Sequence, residues 1–303
     1  MALPQEISKD ELLQKFDTFV FDADGVLWTG DVPVPGAADW INYLLKTPGK
    51  RVFVATNNAT KTLDLYMEKV TKMGFGGLSP QNLVSPAIVL ADYFKRNPEK
   101  FAGQSVYLVG TQNLKTTLET DGGVQCFGIG EDLSRDYTNT DFIYEVDVSR
   151  KVKAVVVSFD LHFSYTKLMK VTNYLQDPEV EFLPTNGDNT FPGPVKNMIL
   201  PENGPWIAAI EAASARKPTA IFGKPHKAMA DFLKSRAGNI DPSRTIMFGD
   251  RLDTDMMFGN TNGFSTCWMQ TGVNTVKDIA KAREKNEQSK IPNYTCTFAK
   301  FTY

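Results

Sequence analysis

Two kinds of apolar pattern alternate along the chain. Short, almost continuous apolar runs rich in β-branched residues are separated by stretches in which apolar residues recur every three or four positions. The first kind is expected of parallel strands buried on both faces, the second of amphipathic helices, and their alternation is that of βαβ units. Runs 17–22, 51–56, 105–109, 152–159, 181–185, 219–222, 244–248 and 264–268 predict strands, with 264–268 as the last core strand. Stretches 37–45, 61–73, 86–96, 114–119, 165–176 and 205–215 predict helices. Pro35-Gly36 opens the first helix, Gly74 stops the second and Asn97-Pro98 closes the third. The polar segment 131–150 and the Gly-, Pro- and Asn-dense segment 186–205 read as loops.

Composition narrows what such a chain does. Its 303 residues suit one large α/β domain or two coupled ones. With 33 Lys and Arg against 35 Asp and Glu, the net charge of −2 argues against a surface that coats nucleic acid. Twenty Phe, ten Tyr and four Trp argue against disorder. His162, His226, Cys126, Cys267 and Cys296 are the entire His and Cys complement, and no two lie within four residues, so zinc spacing is absent. Three scattered cysteines make a poor disulfide framework and favour a reducing compartment. The N-terminus is charged early, without the apolar core of a signal peptide, and no run reaches the roughly 20 apolar residues of a membrane span. A cytoplasmic protein without membrane or nucleic-acid partners is expected. Any chemistry must come from carboxylates, lysines, hydroxyls and backbone groups.

Four predicted strands end in small or charged residues: Asp22 and Asp24, Thr56 and Asn57 followed by Asn58, Lys224, and Asp250 with Asp253 and Asp255 beyond it. In open parallel sheets the C-terminal strand ends form the ligand crevice, so fold logic converges these groups on one site. Asp22, Asp24 and Asp250 supply hard oxygen ligands that suit Mg2+. A carboxylate partly freed by the metal can attack phosphorus, and a second carboxylate two residues on can serve the leaving alcohol and then the attacking water. Gly25 turns the chain there, which lets Asp24 offer its carbonyl to the metal and its side chain to the leaving group. Lys224 offers positive charge, and Thr56 with nearby N–H groups offers donors. Each motif alone has a commoner meaning. Asp22-Ala23-Asp24-Gly25 is a solvated turn, Thr56-Asn57-Asn58 a helix cap, Gly223-Lys224-Pro225 a turn and 250–255 an acidic loop. An EF-hand is excluded by Gly25 at the fourth loop position and Pro33 in place of the closing Glu. It is the ordered set of four that carries the signal.

With these motifs the chain resembles the haloacid dehalogenase-like phosphatases, in the capped branch of 4-nitrophenylphosphatase, phosphoglycolate phosphatase and pyridoxal phosphatase. The carriers are 21–28 (Phe-Asp-Ala-Asp-Gly-Val-Leu-Trp), 56–60 (Thr-Asn-Asn-Ala-Thr), 223–225 (Gly-Lys-Pro) and 249–255 (Gly-Asp-Arg-Leu-Asp-Thr-Asp), with 159–168 and 185–188 inside the insert. The resemblance implies a Rossmann-like, doubly wound α/β core at 14–102 and 218–303, interrupted by a large α/β cap of the C2 type at 103–217. It implies Asp22 as nucleophile, Asp24 as general acid and base, Thr56, Asn57, Asn58 and Lys224 on the phosphoryl group, and Mg2+ on Asp22, the Asp24 carbonyl and Asp250, with Asp255 one step further out. A small phosphate-ester substrate and a homodimer through the cap are implied as well. Phe191-Pro192 stands where pyridoxal phosphatases carry His-Pro, so 2-phosphoglycolate or glycerol 3-phosphate is expected before pyridoxal phosphate. A cap of this size also ranks small esters above phosphoproteins, and the intact carboxylate and lysine set argues against an idle phosphate-binding protein. One departure stands out: 200–205 (Leu-Pro-Glu-Asn-Gly-Pro) replaces the usual Pro-Gly-x-Gly turn. His162 is expected to be a packed or hydrogen-bonded residue ahead of a substrate ligand.

Overall fold

In a computed structural model of the chain, the described residues are 3–132, 141–191, 198–238 and 240–301. Contacts divide the chain into two compact units, one of Met1–Thr56, Leu63–Val84 and Lys224–Tyr303, the other of Asn57–Thr62 and Ser85–Gly223. In chain order the first unit carries β1 (Gln5–Glu6), β2 (Thr18–Phe21), β3 (Trp28–Thr29), β4 (Val32–Pro33), β5 (Arg51–Ala55) and β6 (Leu83–Val84). The second unit carries β7 (Ser105–Val109), β8 (Gln125–Phe127), β9 (Ala154–Val157), β10 (Glu181–Pro184), β11 (Thr190–Phe191) and β12 (Leu200–Pro201). The first unit resumes with β13 (Thr245–Gly249), β14 (Ser265–Met269) and β15 (Tyr294–Cys296).

The sheet of the first unit runs β1-β15-β14-β13-β2-β5-β6, with every pairing parallel. From β2 the chain steps outward to β5 and β6, then returns to the other side of β2 as β13, β14 and β15. The order therefore reverses between β2 and β13, which is where a doubly wound sheet opens a crevice at its C-terminal ends. Every residue of β2 and β13 is buried, which explains their unbroken apolar sequence. Phe21 pairs with Phe248 across the two strands, and their rings stack at 4.5 Å. Burying a ring of this size contributes about 2 kcal/mol, so this pair helps hold the two central strands in register. At the opposite end of β2, Asp17 accepts from Arg244 Nη2 at 2.9 Å and from Lys50 Nζ at 3.0 Å. The Arg244 bonds hold its carboxyl well below the usual range.

The second unit has its own parallel sheet, β10-β9-β7-β8, and an antiparallel β11–β12 pair. It reaches further back than position 103. Helix Pro86–Arg96 belongs to it, with Tyr93 5.2 Å from the Phe222 ring and its hydroxyl donating to Glu181 Oε2 at 3.0 Å.

Four expectations are corrected. Residues 219–222 form no strand. They run beside β10, with Thr219 N and Phe222 N donating to Phe182 O and Pro184 O at 2.8 and 3.2 Å. The Thr219 hydroxyl takes the Phe182 N–H at 3.1 Å, and Pro184 has no N–H to give, so no ladder closes. The strand at 264–268 is not the last in the sheet, because β15 and then β1 extend it; at three and two residues they are too short to show a period. The first unit also begins before position 14, since it includes β1, paired with β15, and helix Lys9–Lys15, which a Ser8–Glu11 capping box opens. Finally, the expected loop 186–205 contains β11, β12 and a helix that starts at Asn203 and ends at Ser214. Residues 192–197, with Pro192, and 133–140 lie outside the described residues. Among the described residues no helix is long and apolar enough to cross a membrane.

Candidate active site

Asp22 follows β2 directly, and its N–H donates to Phe248 O at 2.8 Å, so the ladder to β13 continues through it. Asp250 follows β13, and Asp255 sits in the π-helical turn Leu252–Met256 that comes next. Asp255 Oδ2 accepts the N–H groups of Asp250 at 3.2 Å and Arg251 at 3.1 Å, which folds the turn back on itself. Lys224 lies between the carboxylates and is 1% exposed. Its Nζ is 2.5 Å from Asp22 Oδ1, 2.6 Å from Ala55 O and 2.8 Å from Asp255 Oδ1.

Asp250 is held differently. Its Oδ2 accepts from Val273 N at 2.6 Å, while Oδ1 is buried without a hydrogen-bond donor. Asp22, Asp250 and Asp255 each bring one oxygen into a group whose members lie within 4.8 Å of one another. Burial pushes the Asp22 carboxyl well above its ordinary range; Lys224 pulls it down, while Asp255 and Asp250 add to the rise. Burial, reinforced by Asp255, pushes Asp250 up to about 7. Burial also opposes the Lys224 charge, but Asp22 and Asp255 outweigh it and hold the ammonium above its ordinary range. Crowded, desolvated carboxylates with an orphaned oxygen are the donor set a hard divalent cation takes.

The remaining expected residues are held by contacts of their own. Asp24 Oδ1 accepts from Trp28 Nε1 at 2.9 Å, which fixes the carboxyl beside the Gly25 turn. Thr56 is 5% exposed, donates its N–H to Val84 O at 3.0 Å and hydrogen-bonds Tyr66 through its side chain. Asn57 and Asn58 belong to the second unit. Asn58 Oδ1 accepts Thr60 N at 2.9 Å and Thr60 Oγ1 at 2.7 Å, an Asx turn. Asp253 is exposed and pairs with Arg251 at 3.2 Å. His162, expected to be packed or hydrogen-bonded, is exposed, and its main-chain N–H donates to Asp160 Oδ1 at 2.8 Å.

Family models described as haloacid dehalogenase-like hydrolase and HAD-hydrolase-like match residues 19–123 and 221–294. A glycerol-3-phosphate phosphatase of Rattus norvegicus is 36% identical over 291 residues, covering 93% of this chain and 88% of that protein. The chain belongs to the haloacid dehalogenase-like hydrolases. Its class within them is that of the phosphatases. A Caenorhabditis elegans protein named for NipSnap is 64% identical over 257 residues, which is 85% of this chain; the chain spans 48% of that relative. Among solved structures, a 4-nitrophenylphosphatase of Thermotoga maritima aligns with a TM-score of 0.76 at 26% identity, over 96% of this chain and 97% of that one.

Part of this carboxylate cluster's surroundings was not anticipated from sequence. The loop after β14 wraps Asp250, with Val273 donating to it and Thr271 Oγ1 donating to Gly25 O at 2.5 Å. A Cβ on Gly272 would stand 1.9 Å from Asp250 Oδ2, and one on Gly25, where φ is +87°, 2.8 Å from the same atom. These glycines let backbone close around the carboxylate. The signal was available: 270–273 (Gln-Thr-Gly-Val) follows a predicted strand end, as the other site motifs do. The Ala55 carbonyl is backbone and leaves no sequence signal. Gly272→Ala should displace Asp250, so metal affinity read from activation of phosphatase activity is expected to fall about 10- to 100-fold. An unchanged metal activation curve would show that Asp250 does not need this loop.

Proposed function

We propose that this phosphatase hydrolyses small phosphate monoesters with Mg2+, through an aspartyl-phosphate on Asp22. The observation that carries this reading is the buried Lys224 ammonium shared by Asp22, Asp255 and the Ala55 carbonyl, beside an Asp250 oxygen with no donor. Burial favours a protonated Asp22; Lys224 opposes that rise, and a bound Mg2+ would oppose it further and leave the carboxylate ionised and nucleophilic. Asp22, the Asp24 carbonyl and Asp250 would hold Mg2+, with Asp255 steadying Lys224 and the Asp250 main chain. When bound, Mg2+ supplies charge that offsets the carboxylate repulsion and draws density from the phosphoryl oxygens.

In the first step an oxygen of Asp22 bonds to phosphorus as the ester P–O bond breaks, and Asp24 gives its proton to the departing alkoxide. In the second, Asp24 takes a proton from water as that oxygen bonds to phosphorus and the P–O bond to Asp22 breaks. Ester and water become alcohol and orthophosphate, and both aspartates return to their starting states. The Trp28 bond to Asp24 Oδ1 leaves Oδ2 to carry the proton. Thr56, Asn57, Asn58 and Lys224 would hold the transferring phosphoryl oxygens.

Glycerol 3-phosphate and 2-phosphoglycolate are the substrates we assign. The name of the Rattus norvegicus relative supports the first. Phe191, 37% exposed and edge-on to Phe159 at 5.5 Å, presents hydrocarbon where pyridoxal phosphatases present histidine. Purified chain should hydrolyse 4-nitrophenyl phosphate only with Mg2+. Across glycerol 3-phosphate, 2-phosphoglycolate, pyridoxal phosphate and a phosphotyrosine peptide, the first two should show the highest kcat/KM. Metal-independent turnover would overturn the mechanism, and a preference for pyridoxal phosphate or the peptide would overturn the substrate assignment.

A further inference from the structure

Within the second unit, Asn57 is gripped at two points by one segment of chain. Asn186 Nδ2 donates to Asn57 O at 2.9 Å, and Asn57 Nδ2 donates to Asp188 Oδ2 at 3.1 Å. The grip is itself anchored. Asn186 is 1% exposed, its Oδ1 accepts Asp188 N at 3.1 Å, and its main-chain O accepts Asn203 Nδ2 at 2.9 Å. Asn203 is fully buried, and the same Nδ2 donates to Val157 O at 3.0 Å, at the end of β9. A continuous hydrogen-bonded path therefore runs from a central strand of the second sheet, through Asn203 and Asn186, to Asn57. Gly223 permits the close approach, since a Cβ there would lie 2.8 Å from both Asn186 Cβ and Asn57 Oδ1.

From this geometry we infer that Asn186 and Asp188 are positioning residues for Asn57, fixing its main chain and its amide orientation for the transferring phosphoryl group. An ionised carboxylate accepts and cannot donate, so Asp188 turns the Asn57 amide with Nδ2 towards itself. Asn186 fixes the peptide carbonyl and hence the direction of the adjoining main-chain groups. Neither residue touches the reacting atoms; each acts through Asn57. The inference rests on the assignment of Asn57 to the phosphoryl group made above.

The test is a double-mutant cycle on the full chain, with 4-nitrophenyl phosphate as substrate and inorganic phosphate as competitive inhibitor. Asp188→Asn, Asp188→Ala and Asn186→Ala are expected to lower kcat/KM and weaken phosphate inhibition, about 10- to 100-fold, from misplacement of a binding group. In an Asn57→Ala background the Asp188 substitutions should add little, because the amide they orient is gone, whereas Asn186→Ala should keep its loss, because the Asn57 carbonyl it holds is main chain and remains. Thermal melts identify any variant that fails to fold, and Asp188→Asn, which preserves shape, keeps the cycle readable. If Asn57→Ala is impaired yet the Asp188 losses are fully additive to it, or if Asn186→Ala costs nothing in either background, the positioning role is overturned. If Asn57→Ala itself hydrolyses and binds phosphate as the unaltered chain does, the phosphoryl assignment fails instead, and the positioning inference with it.

Discussion

Asp22→Asn should lower kcat by on the order of 10⁴ or more while the chain still folds, the scale seen when a covalent nucleophile is removed. The substitution keeps the shape of the side chain, its place after β2 and the main-chain bond to Phe248 O. It removes the anion that would form the bond to phosphorus. One partner of the Lys224 ammonium is then neutral, but Asp255 at 2.8 Å and the Ala55 carbonyl at 2.6 Å remain, so the lysine stays held. The discriminating measurement is kcat beside a thermal melt. A folded Asp22→Asn chain that turns over within tenfold of the unaltered one would mean that another group attacks phosphorus.

Lys224→Met carries the second large effect, and it falls on stability as well as on activity. Lys224 is the cation at the centre of the buried carboxylates, and methionine fills its volume without its charge. Asp22 and Asp255 lose their pairing, and Asp250 is already pushed up by burial. Breaking a buried ion pair from one side costs about 3–5 kcal/mol, so melts in EDTA should show a clearly lower Tm for Lys224→Met. On the proposed assignment Mg2+ would bind only the folded carboxylate set and should raise the Tm of both chains. Equal melting of the two chains in EDTA would show that the cluster does not depend on Lys224.

What the sequence could reveal follows from the physics of each part. Strands β2, β5 and β13 are buried on both faces, so their apolar runs were plain, and the polar residues ending them marked Asp22, Thr56 and Asp250. Lys224 was found through a strand that does not exist. The apolar residues at 219–222 are real, but Thr219 and Pro184 divert the hydrogen bonds a strand needs. Strands of two or three residues such as β1, β6 and β15 have no room to display a period and are made by their neighbours. The order of the sheet, which brings β2 beside β13, is a long-range fact that no local pattern carries. The same holds for the Asn186–Asn57 bond, where an asparagine acts on a partner far along the chain.

The central claim is that Asp22 carries the phosphoryl group between the two steps. Rapid acid quench of the chain turning over 4-nitrophenyl phosphate with Mg2+, followed by mass spectrometry of the peptide bearing Asp22, reads this directly. The account predicts phosphate esterified to Asp22 in the unaltered chain and none in Asp22→Asn. Sustained turnover with Asp22 unmodified and phosphate on no other residue would contradict it, since that result means direct attack by water.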